Sequence, residues 1–149
     1  MKVIPSEELE KLLRFAPDPV SQTARNRLAL TLLEVYQIVG EAVVDRYPDT
    51  VQEARRIKRP ARKTAGAAAG HWDLVQGAYW ATYNETVNIP EEAVLFLESH
   101  PSLHRNGVFH ASAIVTDWSE ISGVLLMVGS RGVRLTEGAP ISVGRLFMF

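Results

Sequence analysis

Apolar residues fall along this chain in two textures. In the first forty residues they recur at spacings that leave the element type open. Leu9, Leu12 and Leu13 form one stripe behind Ser6, with Glu7 and Glu8 in the first turn, where carboxylates meet the positive end of a helix dipole. This predicts a short helix capped by Ser6 and stopped by Pro17 and Pro19. Leu28, Leu32, Val35 and Val39 fit a helical face, whereas Leu28, Leu30, Leu32, Tyr36 and Ile38 nearly fit a strand face. The Leu, Ala, Glu and Gln content of this stretch tips local propensity toward helix.

From Trp72 onward the pattern changes. Tyr79 to Asn88 is rich in aromatic and β-branched residues, and Tyr79, Trp80 and Tyr83 alternate as a packed strand would. Short apolar runs follow at Ala93–Leu97, Phe109–Val115, Val124–Val128, Gly132–Leu135 and Gly144–Phe149. Gly77, Pro90, Pro101, Gly107, Gly129, Gly138 and Pro140 punctuate them. Many short strands at such spacing predict an all-β sandwich or barrel, here in a single domain spanning residues 1–149.

Between the two textures lies Arg55 to Lys63, with six basic residues in nine, then a small, glycine-bounded stretch to Gly70. Residues 55–70 are expected to be a basic, flexible loop. A solvated loop is the plainer reading of such a run, and a phosphate or nucleic-acid contact the sharper one. Over the whole chain 16 Lys and Arg stand against 17 Asp and Glu, a formal net charge of −1. No global field draws the molecule to nucleic acid or to an acidic membrane, and neither is expected as a partner. The absence of cysteine excludes disulfides, thiolate zinc sites and a cysteine nucleophile. With no signal-peptide layout and no long apolar stretch, a cytoplasmic protein is expected.

The order of several segments resembles the trimeric dUTPase and dCTP deaminase superfamily, its archaeal dUTPase-like members in particular. Gln76-Gly77-Ala78-Tyr79 resembles a turn that opens a strand in that family. Tyr83-Asn84-Glu85-Thr86-Val87-Asn88-Ile89-Pro90-Glu91-Glu92 resembles the next strand and its proline turn. Pro101-Ser102-Leu103-His104-Arg105-Asn106-Gly107 resembles the Arg-Ser-Ser-Leu motif with its trailing Arg-x-Gly. Ala113 to Gly123 resembles the substrate hairpin, Gly132 to Ile141 the strand and turn after it, and Arg145 to Phe149 the closing Gln-Leu-Val-Phe segment. Asn26 to Tyr36 resembles the Gly-x-Asp-Leu strand, which would set strand against the local helix propensity. The resemblance implies an all-β β-clip, a distorted jelly roll, with a short N-terminal helix. It also implies a homotrimer with sites between subunits, and hydrolysis of dUTP to dUMP and pyrophosphate, or deamination of dCTP.

Carried onto this chain, the resemblance gives candidate nucleotide-binding residues His100, Ser102, Arg105, Thr116, Trp118 and Arg145, and Asp117 as candidate base. Their expected ligand is dUTP or another pyrimidine deoxynucleotide. Several positions depart from the family pattern. His100 replaces an arginine, and a mostly neutral imidazole cannot substitute for a permanently charged bidentate guanidinium. Pro101 replaces a serine and removes a hydroxyl and a backbone N–H. Ala29 falls at the Mg²⁺-associated aspartate and Arg27 at its glycine. At the water-activating aspartate, counting from Ser102 gives Thr116 and counting back from Trp118 gives Val115; Asp117 matches neither count. A one-residue slip turns a strand side chain to the other face unless a bulge intervenes. Val124–Val128 has no glutamate for deamination, and Arg145 replaces a glutamine. Mg²⁺ is expected only if hydrolysis survives, and no metal site is assigned to His100, His104 and His110.

Three readings stay open: a non-catalytic or weakly nucleotide-binding paralogue, an active dUTP diphosphatase using Asp117, and a scaffold acting through its basic loop.

Overall fold

The computed structural model describes residues 1–149. A two-residue strand β1 (Lys2–Val3) precedes helix α1 (Ser6–Leu12), whose Leu9 is fully buried. Ser6 is the first helical residue and not the cap that the sequence suggested. Pro5 holds the cap position, and the Ser6 N–H and hydroxyl both go to Asn26 Oδ1, at 2.9 and 3.1 Å. The helix gives way at β2 (Leu13–Arg14), and a second short helix, α2 (Pro19–Gln22), starts on an Asp18 cap.

Leu28–Val39 forms one long strand, β3, against its local helix propensity. Leu28, Leu30 and Leu32 point inward, the register shifts between Leu32 and Val35, and Val35 is buried on the same side. The extra residue of this irregularity keeps the apolar face continuous while the strand bends. It also explains the ambiguous pattern, because 28, 32, 35 and 39 mimic helical spacing once a bulge interrupts the alternation. Tertiary pairing decides the outcome: the first third of β3 bonds to the C-terminal strand, and residues 35–37 are paired to a strand on each edge.

The remaining strands are β4 (Arg55–Arg59), β5 (His71–Leu74), β6 (Gly77–Tyr83), β7 (Thr86–Val87) and β8 (Ala93–Ser99). After helix α3 (Pro101–His104) come β9 (Val108–Phe109), β10 (Ala113–Val115), β11 (Val124–Val128), β12 (Val133–Thr136) and β13 (Pro140–Met148). A nine-stranded antiparallel sheet runs β10-β8-β13-β3-β6-β11-β9, with β1 added beside β13 and β4 beside β3. Small pairs β12-β5 and β2-β7 close the sides. Because β3 belongs to both halves, the sheet folds over itself around Leu28, Leu30, Leu32, Leu95, Leu126, Ile141 and Leu146, all fully buried. This is the all-β β-clip architecture, with the short N-terminal helix.

One further expectation is corrected. Residues 55–59 are not loop but strand β4, paired with Val35–Val39. An extended edge strand holds its charged side chains outside the core: Lys58 pairs with Glu34 at 2.8 Å and the Arg56 guanidinium sits 4.0 Å from the centre of the Trp80 ring. Residues 101–104, from the Pro101 that marks a break between strands, form the one-turn helix α3. No helix is long and apolar enough to cross a membrane.

Candidate functional site

The N-terminus of β3, the start of α3 and the C-terminal strand meet at one corner of the sheet. Two neighbouring cavities open there, with Arg27 and Val143 on the walls of both. The first, of about 300 Å³, takes Arg145, Ser99 and Pro101 together with the apolar Phe96 and Phe147. The second, of about 400 Å³, takes His100, Arg25, Asp18, Ala29 and Thr31.

The floor of the second cavity is a buried polar knot. Glu85, 1% exposed, accepts from the Thr31 backbone N–H at 2.6 Å, from the Thr31 hydroxyl and from Gln22 Nε2 at 3.0 Å. Gln22 also donates to the Ala29 carbonyl at 2.8 Å and accepts from the Asp18 N–H at 2.9 Å. Asn84 completes the knot by donating to the Thr31 hydroxyl and to the Leu32 carbonyl. Each polar atom buried here has a partner, as burial requires.

His100 caps α3. Its Nδ1 accepts from the Ser102 N–H at 3.2 Å and lies 2.7 Å from the Ser102 hydroxyl. Burial, then the charges of Arg27 and Arg105, hold its pKa below the ordinary histidine value, so the ring is neutral at pH 7. Arg105 is exposed, and its Nε donates to the Pro101 carbonyl at 3.3 Å. Ser102 lines a third cavity with Asn106 and Arg131–Thr136.

The hairpin is built differently. Strand β10 ends at the buried Val115, and Thr116 and Asp117 are both exposed. Asp117 caps a 3-10 turn over Trp118–Glu120: its Oδ1 accepts from the Ser119 N–H at 2.9 Å. That backbone bond, then the Ser119 hydroxyl, lowers its pKa further below the usual carboxylate value. Trp118 is half-buried and packs on Tyr83, with ring centres 5.9 Å apart. At Gly123, φ is +155°, and a Cβ would sit 2.4 Å from the Ala81 carbonyl oxygen and 2.6 Å from Trp80 Nε1, so only glycine lets the hairpin return this close to β6.

Sequence comparison decides the relationship. Over 154 residues the chain is 30% identical to a Methanosarcina acetivorans protein named probable deoxyuridine 5'-triphosphate nucleotidohydrolase, covering 95% of this chain and 85% of that one. The chain belongs to the dUTPase family. A Methanosarcina mazei protein of the same name is also 30% identical, over 153 residues with the same coverage. The fold also matches a dCTP deaminase from Agrobacterium tumefaciens, with a TM-score of 0.67 at 12% identity, covering 99% of this chain and 48% of that structure. No protein-family profile matches the chain.

Within this dUTPase-family chain, the candidates inferred from sequence divide. His100, Ser102, Arg105 and Arg145 gather around α3 and the adjoining cavities. Thr116, Asp117 and Trp118 line none of these clefts in the single chain. Sequence reasoning missed Glu85, Gln22 and Thr31, which build the cleft floor, and registered Arg27 only as a departure from a glycine. The one signal for Glu85 was a carboxylate inside an otherwise strand-like segment.

The residues at the cleft do not fit a divalent cation. Ala29 offers no side-chain oxygen, Asp18 caps α2, and the Glu85 carboxyl is sealed under Thr31 and Gln22. Nowhere in the molecule do three His, Asp or Glu side chains converge into an all-protein metal cage.

Proposed function

We propose that this chain is a nucleotide-binding member of the dUTPase family whose hydrolytic machinery has lapsed. The observation that carries the reading is the pairing of a cationic cleft with a hairpin whose candidate base is otherwise engaged. Arg25, Arg27 and Arg145 line the two cavities, while of the two hairpin carboxylates, Asp117 and Glu120, the candidate base Asp117 is committed to a turn. Hydrolysis of a triphosphate needs a carboxylate within hydrogen-bond reach of the attacking water. A depressed pKa makes Asp117 a poorer proton acceptor still. The active-enzyme alternative draws support from one fact: Asp117 is exposed, so a neighbouring subunit's cleft could meet it.

The chain is proposed to act as a homotrimer. The outer face of β10, β8, β13 and β1 carries Ile114, Phe96 and Val3, which are 67%, 38% and 40% exposed, beside Phe147. Such a contiguous apolar face suits a subunit interface. Multi-angle light scattering at micromolar concentration should give three times the chain mass, and a monomer would remove the intersubunit site. The scaffold reading loses ground, because Lys58 and Arg56 are already engaged by Glu34 and Trp80.

The activity test is steady-state pyrophosphate release from dUTP with Mg²⁺, for wild type, Asp117→Asn and Thr116→Asp. Background rates in wild type and Asp117→Asn, with partial gain in Thr116→Asp, support a lapsed site. Turnover in wild type that Asp117→Asn abolishes would establish Asp117 as the base and end the non-catalytic reading.

A further inference from the structure

Arg27 holds a position that no other cation in the chain shares. It stands in the wall between the two cavities, with Arg145 and Ser99 on one side and His100 and Arg25 on the other. It is partly buried, and no carboxylate lies within 4.0 Å of its guanidinium. Of the 16 Lys and Arg, only Lys58 and Arg134 are paired with carboxylates, and Arg27 is set apart by its partial burial between two cavities.

The backbone before Arg27 is locked. Arg25 and Asn26 both adopt left-handed φ, +59° and +55°, which non-glycine residues rarely take. Three bonds to Ser6 hold the turn: Ser6 N and Oγ to Asn26 Oδ1, and Asn26 N to Ser6 Oγ at 2.9 Å. Helix α1 thereby fixes the point at which β3 begins, and Arg27 enters the cleft from a rigid base. A pre-set guanidinium loses little freedom on binding an anion. Its field already reaches the cleft, being one cause of the lowered pKa of His100.

The balance of charge points to the ligand. Arg25, Arg27 and Arg145 face Asp18 and Glu98 on the cavity walls, an excess of one positive charge, and the exposed Arg105 adds to it from α3. The same walls bring no three carboxylate or imidazole side chains together to seat a cation. We propose that Arg27 anchors an oligophosphate chain across the two cavities and supplies the charge that a divalent cation would otherwise provide, so that binding is independent of Mg²⁺. The proposal rests on the nucleotide-binding reading above and assigns its phosphate contact.

The test is calorimetric titration of the full-length protein with α,β-imido-dUTP and, separately, with inorganic tripolyphosphate, each in EDTA and in Mg²⁺. Wild type should bind the analogue in EDTA with a Kd within about threefold of its value in Mg²⁺, and Arg27→Ala should weaken it by roughly ten- to a hundredfold, the worth of one charge-assisted bond. Arg27→Lys should recover part of the loss, which a merely misfolded cleft would not allow. Unchanged affinity in Arg27→Ala, or binding that requires Mg²⁺, overturns the inference and leaves the nucleotide reading standing. Tripolyphosphate binding through Arg27 in EDTA, with the analogue no tighter, upholds the phosphate site and defeats the nucleotide reading. Failure of wild type to bind either ligand overturns both.

Discussion

Around Glu85 every polar atom is spoken for: two donors from Thr31, one from Gln22, and Asn84 and Ala29 tied to the same group of residues. Around Asp117 the surroundings are open water, a three-residue turn and the N–H and hydroxyl of Ser119. The two carboxyl groups belong to two separate regions, the cleft floor and the hairpin. In this chain the first is built as a rigid interior and the second as a surface turn. A polar network in the core commits its members to one geometry, because each loss leaves a buried atom unpaired. An exposed cap costs little to change, so the hairpin can drift while the fold survives.

The sharpest way to break this comparison is Glu85→Ala. It strips partners from the Thr31 N–H and from Gln22, each worth about 1–3 kcal/mol when left unsatisfied. Urea unfolding should show a loss of about 3 kcal/mol or more. A loss below about 1 kcal/mol would mean that water replaces the carboxyl and that the floor is not a sealed unit.

Acid should act on the interior and spare the hairpin. His110 is 4% exposed, donates from Nδ1 to the Ala111 carbonyl at 2.9 Å, and sits 2.7 Å from Ser142 Oγ, itself 2.6 Å from the Tyr83 hydroxyl. Burial holds its pKa below the ordinary 6.5. The unfolded chain therefore takes up a proton as pH falls through about 6.5 that the folded chain refuses. The stabilisation is fully present above that pH and declines below it, by at most about 1.4 kcal/mol per pH unit. His100, shifted in the same direction, adds to the trend. Denaturation midpoints from pH 7.5 to 5 should fall, and His110→Gln should flatten the curve.

Much of the fold was legible because most strand runs and turn residues after Trp72 agree, although Phe109–Val115 divides into β9 and β10 on either side of the buried His110. Val124–Val128 carries the same bounds in sequence and structure, and Ala93–Leu97 lengthens only to Ser99. The first half was less legible for a physical reason. The register shift in β3 gives Leu28, Leu32, Val35 and Val39 a helical rhythm, and only pairing with β13 and β6 settles the element. Residues 55–59 look like loop because an exposed basic edge strand has no apolar face to announce it. At the site, His100, Ser102, Arg105 and Arg145 could be named by matching motifs. Glu85 and Gln22, 63 positions apart, could not, since nothing local shows that two polar residues will meet in the core.

The smallest expected effect is the converse of the first. Asp117→Asn keeps a good capping residue on an exposed turn, so stability should change by less than about 0.5 kcal/mol. A loss several times larger would show that the hairpin is buried in the assembled protein, and would restore Asp117 as a candidate for the intersubunit site.

The central claim, a cleft that holds nucleotide without the means to cleave it, is tested most directly by single-turnover hydrolysis, with wild-type protein in excess over dUTP and Mg²⁺ present. This arrangement removes product release from the rate. Losing a general base forfeits on the order of 10²–10⁴ in rate, so pyrophosphate should appear at least about a hundredfold more slowly than from a Methanosarcina relative assayed alongside. A burst of pyrophosphate at the relative's rate would contradict the account and place a working base at the hairpin.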